Sequence, residues 1–220
     1  MGIKEYLERR KRELLERYIR TGIVKSEDVI RAFLKVPREE FVLPNYKMYA
    51  YDDTPLPTVK GQTISAPHMA LILLEALDLK PGMKVLEVGT GTGYQAALMA
   101  EIVGEKGLVV TIERIKELAE IARKNLERLG YKNVIVVWGD GLKGYPKYAP
   151  YDRILLATAV EEIPKELREQ LKVGGKLVAP VIERGLRGQS LMVFEKTPEG
   201  IRKKKLMDVI FVVAKEGVEE

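Results

Sequence analysis

The feature that most constrains the fold is a regular alternation of two kinds of segment from residue 83 onward. Short runs rich in Val, Ile and Leu alternate with helical segments: KVLEV, YQAALMAEIV, LVVTI, RIKELAEIARKNLERLG, VIVVW, YDRILLAT, PKELREQL and GKLVAPV. Such alternation predicts parallel strands joined by right-handed crossovers, with helices on both faces of the sheet. The strand runs are continuously apolar, as expected for strands buried on both sides. We therefore predict an α/β fold with a doubly wound, mostly parallel sheet.

The C-terminal part of the chain breaks this alternation. The runs QSLMVFEK (189–196) and VIFVVA (209–214) both read as strands, and no helical segment separates them. Consecutive strands without a crossover helix pair antiparallel, so we predict an antiparallel end to the sheet. Gln189 opens the first of these strands and is a candidate to reach the site. The basic stretch RKKK (202–205) is interpreted as a solvated edge that discourages further strand pairing.

The N-terminal part predicts helices ahead of the sheet. Residues 3–20 carry apolar side chains at helical spacing, and KSEDVIRAFLKVP predicts a second helix with Ser26 as its N-cap. PREEFVLP predicts a short turn, and residues 44–66 predict an extended connection. PHMALILLEALDL then predicts a buried helix.

The length of 220 residues fits one domain. We predict a helical extension over 1–50, a segment and helix covering the site over 51–80, and the α/β core over 81–220. No apolar run approaches the ~18 residues of a membrane span, and the charged N-terminus lacks the apolar centre of a signal peptide. We therefore expect no membrane partner and a cytoplasmic location. We also expect a monomer, with packing of the N-terminal helices on a partner as the alternative.

Composition excludes several kinds of chemistry. The chain has no Cys and a single His, which excludes disulfides, thiolate nucleophiles and Cys-ligated metals. We expect no metal site. The net charge of +5 permits an anionic partner but does not name one.

The most informative local motif is VLEVGTGTGYQ, residues 85–95. Glycines directly after a buried strand allow a tight turn and let backbone N–H groups approach a ligand. A dinucleotide site requires G-x-G-x-x-G, but the sixth residue counted from Gly89 is Tyr94. The pattern is E-x-G-x-G-x-G, with Glu87 interpreted as the end of the strand. A carboxylate there suits a ligand that carries an amine or a positive charge.

Two further acids follow the next two predicted strands. Glu113 ends LVVTIE, about 20 residues beyond the loop, where an acid can accept hydrogen bonds from both ribose hydroxyls. Asp140 follows the third strand in WGDG and is a candidate to bond an adenine amino group. Three acids at adjacent strand ends predict a cationic adenosyl ligand, S-adenosylmethionine. A glycine-rich turn with solvated acids, or a dehydrogenase of the Rossmann type, is the alternative at this point.

The chain as a whole resembles a known family. YDDTPLPTVKGQTISAPHM (51–69), VLEVGTGTGYQAALMA (85–100), GDG (139–141), APYDRILLATAVEEIP (149–164) and LKVGGKLVAPV (171–181) resemble successive signature blocks of the protein-L-isoaspartate O-methyltransferases. This family belongs to the class I methyltransferases with a Rossmann-like fold. The resemblance implies methylation of the carboxyl group of L-isoaspartyl residues in damaged proteins and peptides, which starts their repair. S-adenosylmethionine is then the cofactor and S-adenosylhomocysteine the product.

The resemblance also implies roles for individual residues. Ser65 is expected to orient the acceptor carboxylate, with Thr63 and Thr158 beside it in the substrate site. The expected cofactor-binding residues are Ile64, His68, Glu87, Gly89, Thr90, Gly91, Gly93, Glu113, Asp140 and Gly141. From the residues alone, Ser65 also reads as the N-cap of the helix that follows it. His68 reads as a structural residue or one at the cofactor's edge, and Trp138 as a core residue or one that borders the adenine.

Three positions depart from the family's usual pattern. Val59 stands where a Gly is common, Val160 where an Ala is common, and VIERGLRGQS (181–190) is longer than the common turn. These differences concern the shape of the substrate loop rather than the cofactor site.

Two other functions stay open at this point. The net positive charge and the RKKK stretch suit an RNA or DNA methyltransferase on the same fold. The sequence shows no Asn-Pro-Pro-Tyr run, no catalytic Cys and no aromatic–basic stacking platform, however. A small-molecule methyltransferase is a variant of the same alternative. A module that binds an adenosyl ligand or NAD without catalysis belongs to a different class. On the family resemblance we expect no nucleic-acid partner.

Overall fold

The structure is a computed structural model that describes residues 1–185 and 188–220. Six α-helices are assigned within these residues: α1 (Ile3–Arg20), α2 (Glu27–Lys35), α3 (Pro67–Leu77), α4 (Tyr94–Val103), α5 (Lys116–Arg128) and α6 (Lys165–Gln170). Short 3₁₀ turns at Arg38–Glu40 and Pro44–Tyr49 connect the N-terminal helices to the remainder. The N-terminal helices and the turn in PREEFVLP therefore lie where the sequence predicts them.

Nine strands form two sheets within the same residues. A small antiparallel pair joins β1 (Leu56–Pro57) and β2 (Thr63–Ile64). The large sheet contains β3 (Lys84–Val88), β4 (Leu108–Glu113), β5 (Val134–Trp138), β6 (Tyr151–Leu156), β7 (Leu171–Ile182), β8 (Gln189–Thr197) and β9 (Gly200–Val209).

The order of the large sheet is β5-β4-β3-β6-β7-β8-β9. All pairings from β5 to β7 are parallel, and β8 and β9 add an antiparallel end. The chain winds outward from β3 in one direction through β4 and β5, then returns to the other side at β6. Because the strand order reverses between β3 and β6, a crevice opens beyond their carboxyl ends. The predicted α/β fold is confirmed.

The core lies on both faces of the sheet because successive strand residues point to opposite sides. Val85 belongs to one apolar cluster, with side chains of α1 to α4, whereas Leu86 and Val88 belong to the other, with side chains near α6. All three are buried. Each fully buried aliphatic side chain of this size contributes about 1.5–3 kcal/mol, which fixes the strand ends that carry the site.

The C-terminal strand differs from the sequence-based prediction. The last strand is β9, which includes the RKKK stretch, whereas VIFVVA lies almost entirely beyond it. The prediction failed because apolar content was taken as the strand signal. An edge strand can carry charged side chains on both faces, and β9 is the edge of the sheet. VIFVVA instead forms one isolated bridge, between Val213 and Ala159.

Of the two helix-cap predictions, the position of Ser26 is confirmed and that of Ser65 was wrong. Ser26 stands at the N-cap position of α2, but its hydroxyl donates to Glu75 Oε2 at 2.8 Å instead of capping the helix. The N-cap of α3 is Ala66 rather than Ser65, because the helix starts at Pro67. Among the described residues, the Ser65 hydroxyl therefore has no capping role.

The structure bears on three further sequence-based expectations, which concern Trp138, Val59 and the segment 181–190. Trp138 is 38% exposed rather than buried in the core, because it ends β5, which is the other edge of the sheet. Val59 does not need a left-handed backbone, since the positive φ angles fall on Lys60 (56°) and Gly61 (67°). The length of VIERGLRGQS concerns residues 186 and 187, which lie outside the described residues.

Candidate active site

The site is built at the carboxyl ends of β3, β4, β5 and β6. Val88 pairs with Ile112 on one side and with Leu156 on the other, so the loops that follow these strands meet at one edge. This is where ligands bind in doubly wound sheets. The glycine loop Gly89–Gly93 occupies the centre of the edge.

The glycine loop adopts a backbone that other residues rarely reach. Gly89, Gly91 and Gly93 have φ angles of 95°, 56° and 97°. The loop is tied to the sheet by the bond from Gly89 N to Ile112 O at 2.9 Å, and it closes with Gly93 N to Thr90 O at 3.1 Å. A Cβ added at Gly91 would meet no described atom within 4 Å, so the outer side of the loop is open to a ligand.

Glu113 at the end of β4 clamps this loop. Its Oε2 accepts a hydrogen bond from Gly91 N at 2.9 Å, and its Oε1 accepts one from Ile115 N at 3.0 Å. Burial raises the pKa of Glu113, while the backbone donors act in the opposite direction. A carboxylate has about four acceptor positions, so Glu113 keeps capacity for two further donors such as vicinal hydroxyls.

Glu87 lies deeper than the sequence predicts. It is one residue before the end of β3 and fully buried. Its Oε1 accepts from Thr111 Oγ1 at 2.6 Å, and Thr111 Oγ1 also bonds Thr90 Oγ1 at 2.6 Å, so a chain of hydroxyls joins Glu87 to the glycine loop. Burial raises the pKa of Glu87 to about 8. Its Oε2 has no hydrogen-bond partner among the described residues, which suits an approaching cationic group.

Asp140 and Gly141 follow β5. Asp140 Oδ1 accepts from Leu142 N at 3.0 Å, and its Oδ2 accepts from Gly217 N at 2.9 Å. The carboxylate is therefore joined to the C-terminal tail, which sequence reasoning did not connect to the site. At Gly141 a Cβ would come within 2.4 Å of Val88 Cγ1, so this glycine is required by close packing against β3.

Thr158 completes the edge beyond β6. A Cβ at Gly89 would lie 3.4 Å from Thr158 Cγ2, which places Thr158 beside the glycine loop. The Thr158 hydroxyl is buried, and it has no partner among the described residues. A buried hydroxyl without a partner is costly, and a bound ligand is one way to satisfy it.

The segment Thr63–Ser65 carries the expected substrate residues. Thr63 and Ile64 form β2, pairing with Pro57 and Leu56, and Ile64 is buried while Thr63 is exposed. Ser65 is half-buried, and its backbone carbonyl accepts a hydrogen bond from Arg38 Nη2 at 2.8 Å. The strand pair on one side and α3 on the other hold the Ser65 backbone in place.

His68 is oriented by a carboxylate. Its Nδ1 lies 2.7 Å from Asp53 Oδ1, and the same oxygen accepts from His68 N at 3.3 Å. Asp53 also pairs with Arg17 of α1 at 3.2 Å. Burial acts to raise the pKa of Asp53, but the nearby Tyr18 hydroxyl and the bonds from His68 outweigh it, and the pKa is lowered overall. Among the described residues, Nε2 of the imidazole has no hydrogen-bond partner.

Several functional contacts were missed from the sequence. Arg38, Asp53 and Thr111 hold site residues in place, and the sequence analysis assigned none of them a role, although Asp53 lies in the first signature block. The tail also crosses this edge, where Glu219 exchanges backbone bonds with Arg114 and Lys116 and Ala214 N bonds Ala159 O. Gln189 uses its amide to bond both backbone groups of Phe211, at 3.0 and 2.7 Å, and so anchors the start of that tail. The sequence carries no signal for pairs this far apart in the chain.

Comparison with known proteins identifies the family. Residues 9–219 match the sequence model of the protein-L-isoaspartate(D-aspartate) O-methyltransferases (PCMT). The chain belongs to this family. It is similar to the protein-L-isoaspartate O-methyltransferase of Ignicoccus hospitalis, with 54% identity over 206 residues that cover 94% of this chain and 97% of the relative.

Solved structures of the family share the fold of this member. One protein-L-isoaspartate O-methyltransferase aligns with a TM-score of 0.85 and 37% identity, covering 94% of this chain and 67% of the other. A family structure from Plasmodium falciparum, in complex with S-adenosyl-L-homocysteine, aligns with a TM-score of 0.82 and 31% identity, covering 92% and 97% of the two chains. The family predicted from the signature blocks is thus confirmed.

The roles assigned to single residues stay predictions. The structure brings Glu87, Glu113, Thr158 and the glycine loop to one edge, with Asp140 beside them. None of the helices in the described part of the chain combines the length and apolar character needed to span a membrane.

Proposed function

We propose that this family member transfers the methyl group of S-adenosylmethionine to the free carboxylate of L-isoaspartyl residues in damaged proteins and peptides. The observation that carries the proposal is the arrangement of carboxylates around the glycine loop, next to the Thr63–Ser65 segment of the GQTISAP block. The relatives named above are protein-L-isoaspartate O-methyltransferases. Methylation of the carboxylate starts the repair of the damaged residue, and S-adenosylhomocysteine is the other product.

The residues present fit this cofactor. Glu113 has acceptor capacity for the ribose hydroxyls, and Glu87 has an unpaired buried oxygen for the amine of the methionine moiety. Asp140 and the buried Gly141 would border the adenine, with Ile64 and His68 covering the cofactor from the other side. The open side of Gly91 admits a ligand against the backbone. When bound, the cofactor supplies an electrophilic methyl group on a positively charged sulfur.

The chain's own residues have to hold and desolvate the acceptor. A carboxylate with a reference pKa near ~4 is ionised at neutral pH, so no general base is needed. Ser65 would donate its hydroxyl to the acceptor carboxylate, with Thr63 and Thr158 beside it. A neutral donor orients the carboxylate without the ground-state stabilisation that a Lys or Arg would impose. Alignment of acceptor and methyl group then supplies most of the rate enhancement.

The experiment that tests the proposal is transfer of labelled methyl groups to a peptide. An isoaspartyl peptide and its aspartyl counterpart of the same sequence are incubated with the protein and S-adenosylmethionine. We expect label on the isoaspartyl peptide and background label on the aspartyl one. Equal labelling of the two would refute the repair function, and labelling of neither would point to a different acceptor.

The nucleic-acid alternative gains no support from the basic stretch on β9. Lys205 pairs with Asp208 at 2.7 Å and with Glu183 at 3.2 Å, and Arg202 pairs with Glu195 at 3.7 Å. Half of RKKK is thus engaged with acidic neighbours instead of forming an uncompensated phosphate-binding surface. The monomeric state and the cytoplasmic location stay predictions from the sequence.

A further inference from the structure

Arg38 is a fully buried arginine at the centre of the N-terminal extension. Its Nε donates to Ala50 O at 2.7 Å, and its Nη2 donates to Ser65 O at 2.8 Å. The guanidinium carbon lies 5.1 Å from the ring centroid of Tyr94. One side chain therefore contacts the connection before β1, the segment that carries Ser65, and the first residue of α4.

Within residues 1–185 and 188–220, no carboxylate forms an ion pair with Arg38. No acidic oxygen of the described residues lies within 4.0 Å of its guanidinium nitrogens. An arginine stays protonated even when burial disfavours its charge, so the cation is held by carbonyl dipoles and an aromatic face. Burying a charge in this way is costly, and a well-packed apolar side chain of similar size would often be at least as stable. Stability alone is therefore a weak reason for an arginine here.

The contacts of Arg38 explain what the guanidinium provides. A bond to the Ser65 carbonyl fixes the plane of the peptide group between Ser65 and Ala66, which sets the direction of the Ser65 side chain. Tyr94 follows Gly93 directly, and its buried ring packs against Phe41 with centroids 5.6 Å apart. The planar fork of Arg38 reaches two carbonyls in fixed directions while its cation lies over the Tyr94 ring, an arrangement that lysine cannot reproduce.

We propose that Arg38 is a positioning residue that fixes the Thr63–Ser65 segment relative to the glycine loop Gly89–Gly93. It acts through the Ser65 carbonyl on the substrate side and through the Tyr94 ring on the cofactor side. The inference rests on the proposed function, because it assumes that acceptor and cofactor lie on these two segments. A shift of about 1 Å between reacting groups lowers a rate about 100-fold, so loss of this link reduces turnover without removing either binding site.

The test compares Arg38→Lys with a matched control, Arg153→Lys. Arg153 is also buried, and it also bonds backbone carbonyls: Leu77 O at 2.5 Å, Asp152 O at 2.9 Å and Asp78 O at 3.3 Å. It pairs with Val85 near the start of β3, at the end of the sheet opposite the site. Both variants lose a buried arginine of the same kind, but only Arg38→Lys breaks the proposed link. Arg38→Met, which keeps the length and removes the charge, is the second variant.

We expect kcat of Arg38→Lys to fall at least about 10-fold, while the dissociation constant of S-adenosylhomocysteine, measured by calorimetry, changes less than about 3-fold. Deuterium exchange of residues 63–70 should rise in the ligand-free protein. Arg153→Lys should lower the melting temperature but leave kcat and the exchange of 63–70 unchanged. All assays are run well below the melting temperature of each variant.

Two results would overturn the inference. One is a kcat of Arg38→Lys and Arg38→Met within twofold of the wild type. The other is a fall in kcat that is proportional to the fall in melting temperature and is as large in Arg153→Lys as in the Arg38 variants. If the wild type methylates no isoaspartyl peptide, the proposed function fails separately. The exchange of 63–70 then still decides whether Arg38 holds the Ser65 segment.

Discussion

Two loops that flank the same crevice are made rigid in different ways. The glycine loop places a glycine at each of its three left-handed residues, Gly89, Gly91 and Gly93. The segment before Ser65 places Lys60 at a φ of 56°, followed by Gly61 at 67°. A left-handed backbone costs an L-residue about 1–2 kcal/mol, a cost that the glycine loop avoids and the Lys60 loop accepts.

The glycine loop and the Ser65 segment also differ in which part of the chain supplies their hydrogen-bond partners. The glycine loop is held by the strand beside it, through Ile112 and Glu113. The Ser65 segment is held by residues of the N-terminal extension and its connection, namely Arg38 and the strand partner Leu56, while Asp53 holds the neighbouring His68. The glycine loop therefore depends on the α/β core, whereas the Ser65 segment depends on parts of the chain outside it. Changes in one loop should affect cofactor affinity, and changes in the other should affect turnover.

The largest expected effect comes from Ser65→Ala. Loss of the hydroxyl removes the donor that we propose orients the acceptor, so we expect kcat to fall about 100-fold. The dissociation constant of S-adenosylhomocysteine should stay within about threefold, because the glycine loop is untouched. Steady-state kinetics with an isoaspartyl peptide and calorimetry with the product measure the two quantities. An unchanged kcat would show that Ser65 does not orient the acceptor. It would also contradict the expectation that changes in the Ser65 segment act on turnover.

Glu113→Gln should weaken cofactor binding and leave turnover at saturating cofactor nearly unchanged, the opposite of Ser65→Ala. The new amide group cannot accept from both Gly91 N and Ile115 N, so one buried donor loses its partner, which costs about 1–3 kcal/mol. Affinity for S-adenosylhomocysteine should fall about 10- to 30-fold. At saturating cofactor, kcat should change much less than in Ser65→Ala. If the variant binds as tightly as the wild type, Glu113 neither clamps the loop nor contacts the ribose.

The smallest effect concerns the backbone at the start of the Ser65 segment. Lys60→Gly relieves the left-handed strain, but the greater freedom of glycine in the unfolded chain offsets part of this gain, so we expect the free energy of unfolding to rise by at most about 1 kcal/mol. Val59→Gly is the control, because Val59 has no positive φ, and it should lower the free energy of unfolding by about 0.5–1 kcal/mol. Chemical denaturation measures both. Greater stability of Val59→Gly than of Lys60→Gly would contradict the observed loop conformation.

Much of the core could be predicted from local pattern. The helices and strands from Lys84 to Gln170 follow their apolar periodicity, and the glycine spacing after β3 indicates the loop at the crevice. The tail could not be predicted in the same way. VIFVVA is more apolar than GIRKKKLMDV, yet the charged segment forms β9, because pairing with β8 decides which residues become an edge strand. The prediction that Trp138 is a core residue was wrong for a related reason. Exposure at the edge of a sheet depends on which distant segments pack there, and the local sequence does not specify them.

The environment of the acids also required the tertiary structure. The sequence places Glu87 close to a strand end but does not reveal that it is fully buried, with a pKa raised to about 8. Nor does the sequence reveal that Asp140 bonds the tail at Gly217. Burial and pairing depend on side chains from distant segments, which local sequence patterns do not specify.

The sequence by itself determined the parallel sheet, the position of the cofactor crevice and the family, because apolar periodicity and glycine spacing act over a few residues. The tertiary structure alone decided how the Ser65 segment is held. Arg38 lies 27 residues before Ser65 and meets its carbonyl only once the N-terminal extension has packed against α4. A hydrogen bond to a backbone carbonyl leaves no signature at the accepting residue, since every residue type presents the same oxygen.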